Sequence, residues 1–260
     1  MRSLLPAVAC LLFACNGPAV APVQPSSPCE QRAFEGTSFT VCALKGGRPE
    51  VLTSDRNGTP YRSFAAVEAA LGPKAERVAF GMNAGMFDAN GHAIGLLIER
   101  GKELHAINRR KGGGNFHLLP NGLFLVRKDG SAEVVATDAF KPAASIDYAT
   151  QSGPMLVIEG KLHPSFDADG TSRYIRNGIG IAPGGTPLFV ISNEEVSFGK
   201  LARFFRDGLR TRNALYFDGS VSSLWDPANG RRDGFVPIGP MVVVFRPSES
   251  KPGRASRATP

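Results

Sequence analysis

Short apolar runs rich in Val, Ile, Leu and Phe recur along this chain and are interrupted repeatedly by Gly-containing turns. That punctuation belongs to hairpins rather than to long helices. Ile94 to Ile98 and Leu104 to Ile107 flank Arg100-Gly101-Lys102, while Leu123 to Val126 and Glu133 to Ala136 flank Lys128-Asp129-Gly130. Met155 to Ile158 turns through Gly160 to Leu162, and Ile179 to Ala182 turns through Gly184-Gly185 to Leu188 to Ile191. Each of these pairs predicts a hairpin. Two segments carry helical spacing instead: Phe64, Val67, Ala70 and Leu71 ahead of Gly72-Pro73, and Phe198, Leu201, Phe204 and Phe205 ahead of Gly208. Few helices among many hairpins predict an α+β domain, or a mixed α/β one, with a mostly antiparallel or mixed sheet and helices packed on it. The hairpins keep no constant period, which argues against a solenoid or propeller.

The ends of the chain follow a different pattern. Arg2 precedes an apolar stretch from Leu4 to Phe13, long enough for the core of an export signal and too short to cross a bilayer. It runs into Leu12-Phe13-Ala14-Cys15, with the Leu and the small residue that lipoprotein processing favours, although Phe13 is bulky. Cleavage after Ala21 would leave Pro22 first, so lipidation of Cys15 is preferred to simple secretion. The expected division is a lipoprotein-type signal over 1–15, a Pro-, Ala- and Ser-rich tether over 16–28, a single domain over 29–246, and a disordered basic tail over 247–260. That places the protein outside the cytoplasm, in the periplasm or on the outer membrane, with the lipid as its membrane contact. In an oxidising compartment the remaining pair, Cys29 and Cys42, is expected to be bridged, because its spacing lacks the companion ligands that zinc requires.

A formal charge of +7 and a pI near 9.5 would ordinarily raise nucleic acid as a partner. Export argues against it. Part of the excess sits in the tail and part in Arg109-Arg110-Lys111, so the charge suits a solvated surface, an anionic envelope polymer or a phosphate-bearing substrate.

Candidate chemistry gathers at strand ends. Val78 to Met82 stops at Asn83-Ala84-Gly85-Met86-Phe87, where an amide able to donate and accept is followed by a Gly that admits close backbone approach; an ordinary turn reads the same way. Ala149-Thr150-Gln151-Ser152-Gly153-Pro154 sets Gln151 and Ser152 before a rigid turn. Arg176-Asn177-Gly178 puts a guanidinium, suited to phosphate or carboxylate, at the entrance of a strand. Ala214 to Phe217 is a fully apolar run ending in Asp218-Gly219-Ser220, where the carboxylate is a base, a nucleophile or a hairpin turn residue. Trp225 beyond it either stacks on a sugar face or anchors the loop. Competing templates fit poorly. Gly-x-Ser-x-Gly and the P-loop are absent, His92, His105, His117 and His163 lack zinc spacing, and the Asp88 and Asp167 turns lack the distal ligands of a calcium loop. A Ser220–His163 pair within a triad is the weaker alternative, since triads are recognised by geometry.

In this order the four segments resemble the phosphodiester glycosidase family, over about Tyr61 to Phe245. The chain also carries Asn115-Phe116 and Pro120-Asn121-Gly122, as the family's bacterial branch does. Animal members carry a second Gly where Ser220 stands here, so their substrate does not carry over. The resemblance implies hydrolysis between a sugar's anomeric carbon and phosphate in a sugar-1-phosphodiester of an envelope or exopolysaccharide glycan. It casts Asp218 as base or nucleophile and Arg176 as the phosphate holder. Asn83, Gly85, Asn115, Gln151, Ser152, Gly153 and Ser220 would bind the sugar, with no cofactor or metal. Asp88 and Glu195 are candidates for a second carboxylate. The alternative is a noncatalytic module that binds envelope polysaccharide.

Overall fold

The computed structural model describes residues 26–43 and 45–247. The signal segment with Cys15, nearly all of the tether and the tail from 248 lie outside the described residues. Every strand pairing within them is antiparallel, in three sheets, and two short α-helices, Phe64–Leu71 and Phe198–Arg203, pack against the sheets. The expected α+β domain is therefore largely β.

The seven-stranded sheet runs in the order Cys29–Phe34, Thr37–Cys42, Pro187–Ser192, Asn177–Ile181, Ala214–Tyr216, Met155–Ile158, Lys161–Leu162. One five-stranded sheet orders Arg231–Arg232, Leu224–Asp226, Val78–Asn83, Met241–Phe245 and Arg48–Leu52. The other orders Lys102–His105, Leu97–Glu99, Ile146–Ser152, Gly122–Arg127 and Ala132–Ala136. All four predicted hairpins form. Cys29 and Cys42 face each other across the hairpin that opens the described chain and are joined by a disulfide.

The three sheets share one core because each supplies bulky apolar side chains to it. Phe80, Phe189 and Phe124, one from each sheet, meet edge to face with ring centroids 5.3 and 5.7 Å apart. Each such contact adds about 0.5–1.5 kcal/mol to plain area burial. The helices form where the spacing predicted them and start on a side-chain cap. Ser63 accepts from the Ala66 N–H at 3.1 Å, and Ser197 accepts from the Lys200 N–H at 3.1 Å. The first lays Phe64 and Val67 on the sheet that contains Trp225, whose ring lies 6.0 Å from Phe64. Trp225 is buried there, so it anchors its loop rather than presenting a face to solvent.

Candidate active site

Asp218 is held where two sheets meet. The strand Ala214–Tyr216 pairs on both sides within its own sheet, and the chain leaves it by tying the Phe217 N–H to the Asn177 carbonyl at 3.2 Å. The Asp218 N–H then crosses to the Ala84 carbonyl at 3.0 Å, while the Ala84 N–H donates to the Pro240 carbonyl at 2.8 Å. The Asp218 carbonyl accepts from Asn83 Nδ2 at 2.7 Å. Its main chain is thus gripped by the sheet on the other side of the junction. The side chain is half-buried: Oδ1 accepts from the Ser220 hydroxyl at 2.6 Å and the Ser220 N–H at 3.2 Å, and Oδ2 accepts nothing among the described residues. Burial pushes its pKa up from the ordinary carboxylate range, and the two Ser220 hydrogen bonds oppose that shift.

Asn83 works inside the protein. It is buried, and its Oδ1 accepts from Asn177 Nδ2 and from the Ser223 N–H, both at 2.8 Å. Asn83, Asn177, Ser223 and Asp218 therefore form one satisfied polar knot across two sheets. Gln151 is equally engaged. It lies in the central strand of its sheet, accepts from the Leu96 and Asn108 N–H groups at 2.9 Å, and donates to the Asn108 carbonyl at 2.7 Å. Neither amide presents a free hydrogen-bonding atom to a sugar hydroxyl in this arrangement. Ser152 is wholly buried, and its hydroxyl finds no partner among the described residues.

Arg176 is one of the largest fully buried side chains, at 1 % exposure, and makes no ion pair with a carboxylate among the described residues. Nε donates to the Val196 carbonyl at 2.9 Å, one terminal nitrogen donates to the Tyr216 hydroxyl at 3.0 Å, and the other donates to Ser172. Its guanidinium lies 3.7 Å from the centroid of the Phe198 ring. Carbonyl dipoles and aromatic faces stand in for a counter-ion. Arg176, expected to hold the substrate phosphate, is here a buried, fixed charge behind Tyr216, whose phenol pKa burial pushes up to about 12 against the pull of Arg176. Tyr216, which meets Arg176, and Asn177, which meets Asn83, are neighbours of the candidate site that pattern reading did not select. Asn177 directly follows Arg176, and Tyr216 lies two positions before Asp218.

The remaining expected residues frame the junction. A Cβ on Gly85 would fall 2.2 Å from Thr150 Oγ1 and 2.7 Å from the Gln151 carbonyl oxygen, so this glycine lets the Asn83 loop lie on the Gln151 strand. Gly153 packs on Asn121, whose amide holds the Phe116 carbonyl at 2.9 Å, and Asn115 is exposed at the turn before buried Phe116. Asp88 caps its own turn by accepting from the Asn90 and His92 N–H groups at 2.9 Å, and Glu195 is exposed just before Val196. His163 is buried, with Nε2 on the Leu119 carbonyl at 3.1 Å and Nδ1 accepting from the Ser165 N–H at 3.2 Å. Both ring nitrogens are occupied, which leaves none for Ser220. Among the described residues no three His, Cys, Asp or Glu side chains gather as a metal cluster.

Beside the junction opens a cleft of about 630 Å³, lined among others by His105, Arg109, Arg110, Lys111, His117 and Asp88. Asp218 is not in its wall. The two are linked through the loop after Asn83, because Ile94, which also lines the cleft, donates its N–H to the Met86 carbonyl at 3.2 Å.

With this geometry in place, sequence and structure were compared with known proteins. A family model described as phosphodiester glycosidase matches residues 76–245. The Escherichia coli (strain K12) protein called uncharacterized protein YigE is 34% identical over 178 residues, 68% of this chain and 69% of that one. The catalytic domain of zebrafish N-acetylglucosamine-1-phosphodiester alpha-N-acetylglucosaminidase, auto-inhibited by its pro-peptide, matches with a TM-score of 0.59 at 16% identity, over 84% of this chain and 82% of that one. A hypothetical protein from Synechocystis matches with a TM-score of 0.54 at 14% identity, over 84% of this chain and 61% of that one. At such identities these structural likenesses establish the fold.

Proposed function

Because the chain belongs to the phosphodiester glycosidase family, we propose that it hydrolyses the bond between a sugar's anomeric carbon and phosphate in a sugar-1-phosphodiester of an envelope or exopolysaccharide glycan. The observation that carries this reading is the half-buried Asp218 carboxylate at a strand end, with one oxygen held by Ser220 and the other unengaged. Its role is base or nucleophile toward the anomeric carbon. Phosphate leaves readily, so the demand for a strong general acid is relaxed and one well-placed carboxylate goes further than it would on an ordinary glycoside. Asn83 fixes the Asp218 main chain, and the buried charge of Arg176 polarises Tyr216 from behind. These are positioning residues; the exposed Asn115 is open to the substrate, and Ser220, also exposed, meets it while holding Asp218 Oδ1.

A second reading, a noncatalytic envelope polysaccharide-binding module, draws on the exposure of both Asp88 and Glu195, neither of which hydrogen-bonds to the Asp218 side chain. Incubating the purified protein with sugar-1-phosphodiesters and measuring released sugar separates the two. Turnover is expected in the wild type and a fall of about 10²-fold or more in Asp218→Asn. A folded Asp218→Asn protein working at full rate would remove the assignment, and saturable binding with no sugar released would favour the module. The accompanying proposal of export and a lipid on Cys15 rests on the sequence alone; radioactive fatty acid should label the protein and be lost in Cys15→Ser.

A further inference from the structure

We propose that the cleft walled by Arg109, Arg110 and Lys111 is a second anion subsite, which takes a further phosphate of a polymeric substrate while its neighbouring linkage lies at Asp218. The inference rests on the glycosidase reading and narrows it, from any sugar-1-phosphodiester to a glycan with phosphates in successive repeats.

Three observations carry it. The cleft sets three permanent cations against one carboxylate, Asp88. Arg109 is partly engaged, with one nitrogen on the Thr137 carbonyl at 2.7 Å and 3.4 Å from Asp138, but Arg110 and Lys111 make no ion pair among the described residues. The strip that presents them is pinned rather than loose. Asn108 has both its N–H and its carbonyl on the buried Gln151 amide, the Arg110 N–H donates to Asn108 Oδ1 at 3.0 Å, and the Arg110 carbonyl meets His117 Nδ1 at 2.8 Å. A fixed backbone lowers the ordering cost of binding an anion with guanidinium and ammonium groups. The cleft wall also lies a short main-chain path from the Asp218 backbone: Asp218 N–H to the Ala84 carbonyl by one hydrogen bond, two residues on to Met86, then one more hydrogen bond to Ile94, which lines the cleft. That main-chain path is on the order of 10–15 Å long, a separation compatible with a neighbouring repeat of a polymer. Gln151, which grips both Asn108 and the strand-end segment at Leu96, ties the subsite to the junction.

The test compares Arg110→Ala/Lys111→Ala with wild type on two probes: a methyl hexose-1-phosphodiester, and a trimer of the same hexose joined by phosphodiesters. Both residues are exposed, so the variant should fold, as circular dichroism will verify. Binding is measured by calorimetry on the Asp218→Asn background and turnover on the wild-type background. The expected result is trimer affinity weakened about tenfold, with affinity and kcat/KM for the single diester within about twofold, and a steeper salt dependence for the trimer in the unmutated cleft. Unchanged trimer affinity, a parallel loss on both probes, or no preference of the wild type for the trimer would overturn the subsite. Because binding is read separately from sugar release, a protein that hydrolyses neither probe would refute the glycosidase reading while the binding data still decide on the cleft.

Discussion

The tightest contact in the candidate active site predicts a compensating pair of substitutions. A Cβ on Gly219 would lie 1.9 Å from the Tyr216 hydroxyl, 2.6 Å from Cζ and 2.8 Å from Cε2. The ring cannot swing away freely. It is buried at 1 % exposure, set edge-on to Phe198 at 4.7 Å, and held through its hydroxyl by Arg176. Gly219→Ala must therefore displace the Asp218 loop or the ring, at about 1–3 kcal/mol. Tyr216→Phe leaves a guanidinium N–H unpaired in the interior, at about 1–3 kcal/mol. If independent, the pair would lose about 2–6 kcal/mol. It should lose about 1–2 kcal/mol less than the sum, because removing the hydroxyl clears the closest overlap, although the ring carbons keep the relief partial. Urea unfolding of the four proteins supplies the cycle. Sugar release supplies a second readout: Gly219→Ala should lower kcat about 10²-fold by moving Asp218 on the order of 1 Å, and Tyr216→Phe should recover part of that. Additivity within about 0.5 kcal/mol, or a Gly219→Ala enzyme of normal turnover, would show that the hydroxyl does not set the Asp218 loop.

Activity that needs ionised Asp218 should fall as pH drops through a value above the usual carboxylate range. Ser220→Ala removes the hydroxyl that opposes the shift, so the acidic limb of kcat/KM should move to higher pH; an unmoved limb would assign it to another group. A carboxyl that binds its proton more tightly when folded adds stability below its unfolded value and loses it as pH rises through the folded one. Asp218→Asn should therefore melt higher than wild type at about pH 7, with the gap closing in acid; an equal or lower melting temperature at neutral pH would contradict the burial cost. Replacing Cys29 and Cys42 with Ser opens a link of sequence separation 13 and should cost about 3 kcal/mol, roughly 6–12 °C of melting temperature, with no further loss on adding reductant.

Hairpins and helices were legible because their signals are local. Arg100-Gly101 and Asp129-Gly130 sit between apolar runs, and Ser63 and Ser197 cap the two segments with helical spacing. The strand Ile146–Ser152 was not legible. Ile-Asp-Tyr-Ala-Thr-Gln-Ser has too many polar residues for a central strand until one sees Gln151 satisfied by Leu96 and Asn108, 55 and 43 positions away. Cys29–Phe34, an edge strand exposed on both faces, was obscured by its run of polar residues Glu30, Gln31 and Arg32. The segments of the site were found at their strand ends, but the depth of Arg176 was not: Tyr174, two residues before it, is one of the rings around it, but the rings that bury its guanidinium with it, Phe198 and Tyr216, are 22 and 40 positions away. Sequence separates polar from apolar residues; it does not say which polar groups will be buried together.

That distinction bears on why the polar groups lie where they do. The common core beneath the three sheets is made of aliphatic and aromatic side chains, with Phe80, Phe124 and Phe189 at its centre. Among the described residues, buried polar groups that oppose folding lie in several places, buried Asp226 with an unpartnered Oδ1 among them, and some lie in the segments around the sheet junction. Burial raises the Asp218 pKa, and among the described residues Arg176 is buried without a carboxylate partner and the Ser152 hydroxyl has no partner. Apolar residues of similar volume at such positions are often no less stable, so packing alone does not account for retaining charge there. The proposed reaction would, because a carboxylate partly withdrawn from water is closer to its reacting state and a fixed guanidinium behind Tyr216 needs no reorganisation when charge develops. The Asn83–Asn177–Ser223 knot then offsets some of the cost with satisfied hydrogen bonds and keeps the Asp218 carbonyl in place at 2.7 Å. A half-exposed carboxylate braced from two sheets by satisfied hydrogen bonds is what the proposed hydrolysis would require, and packing alone supplies no reason for it.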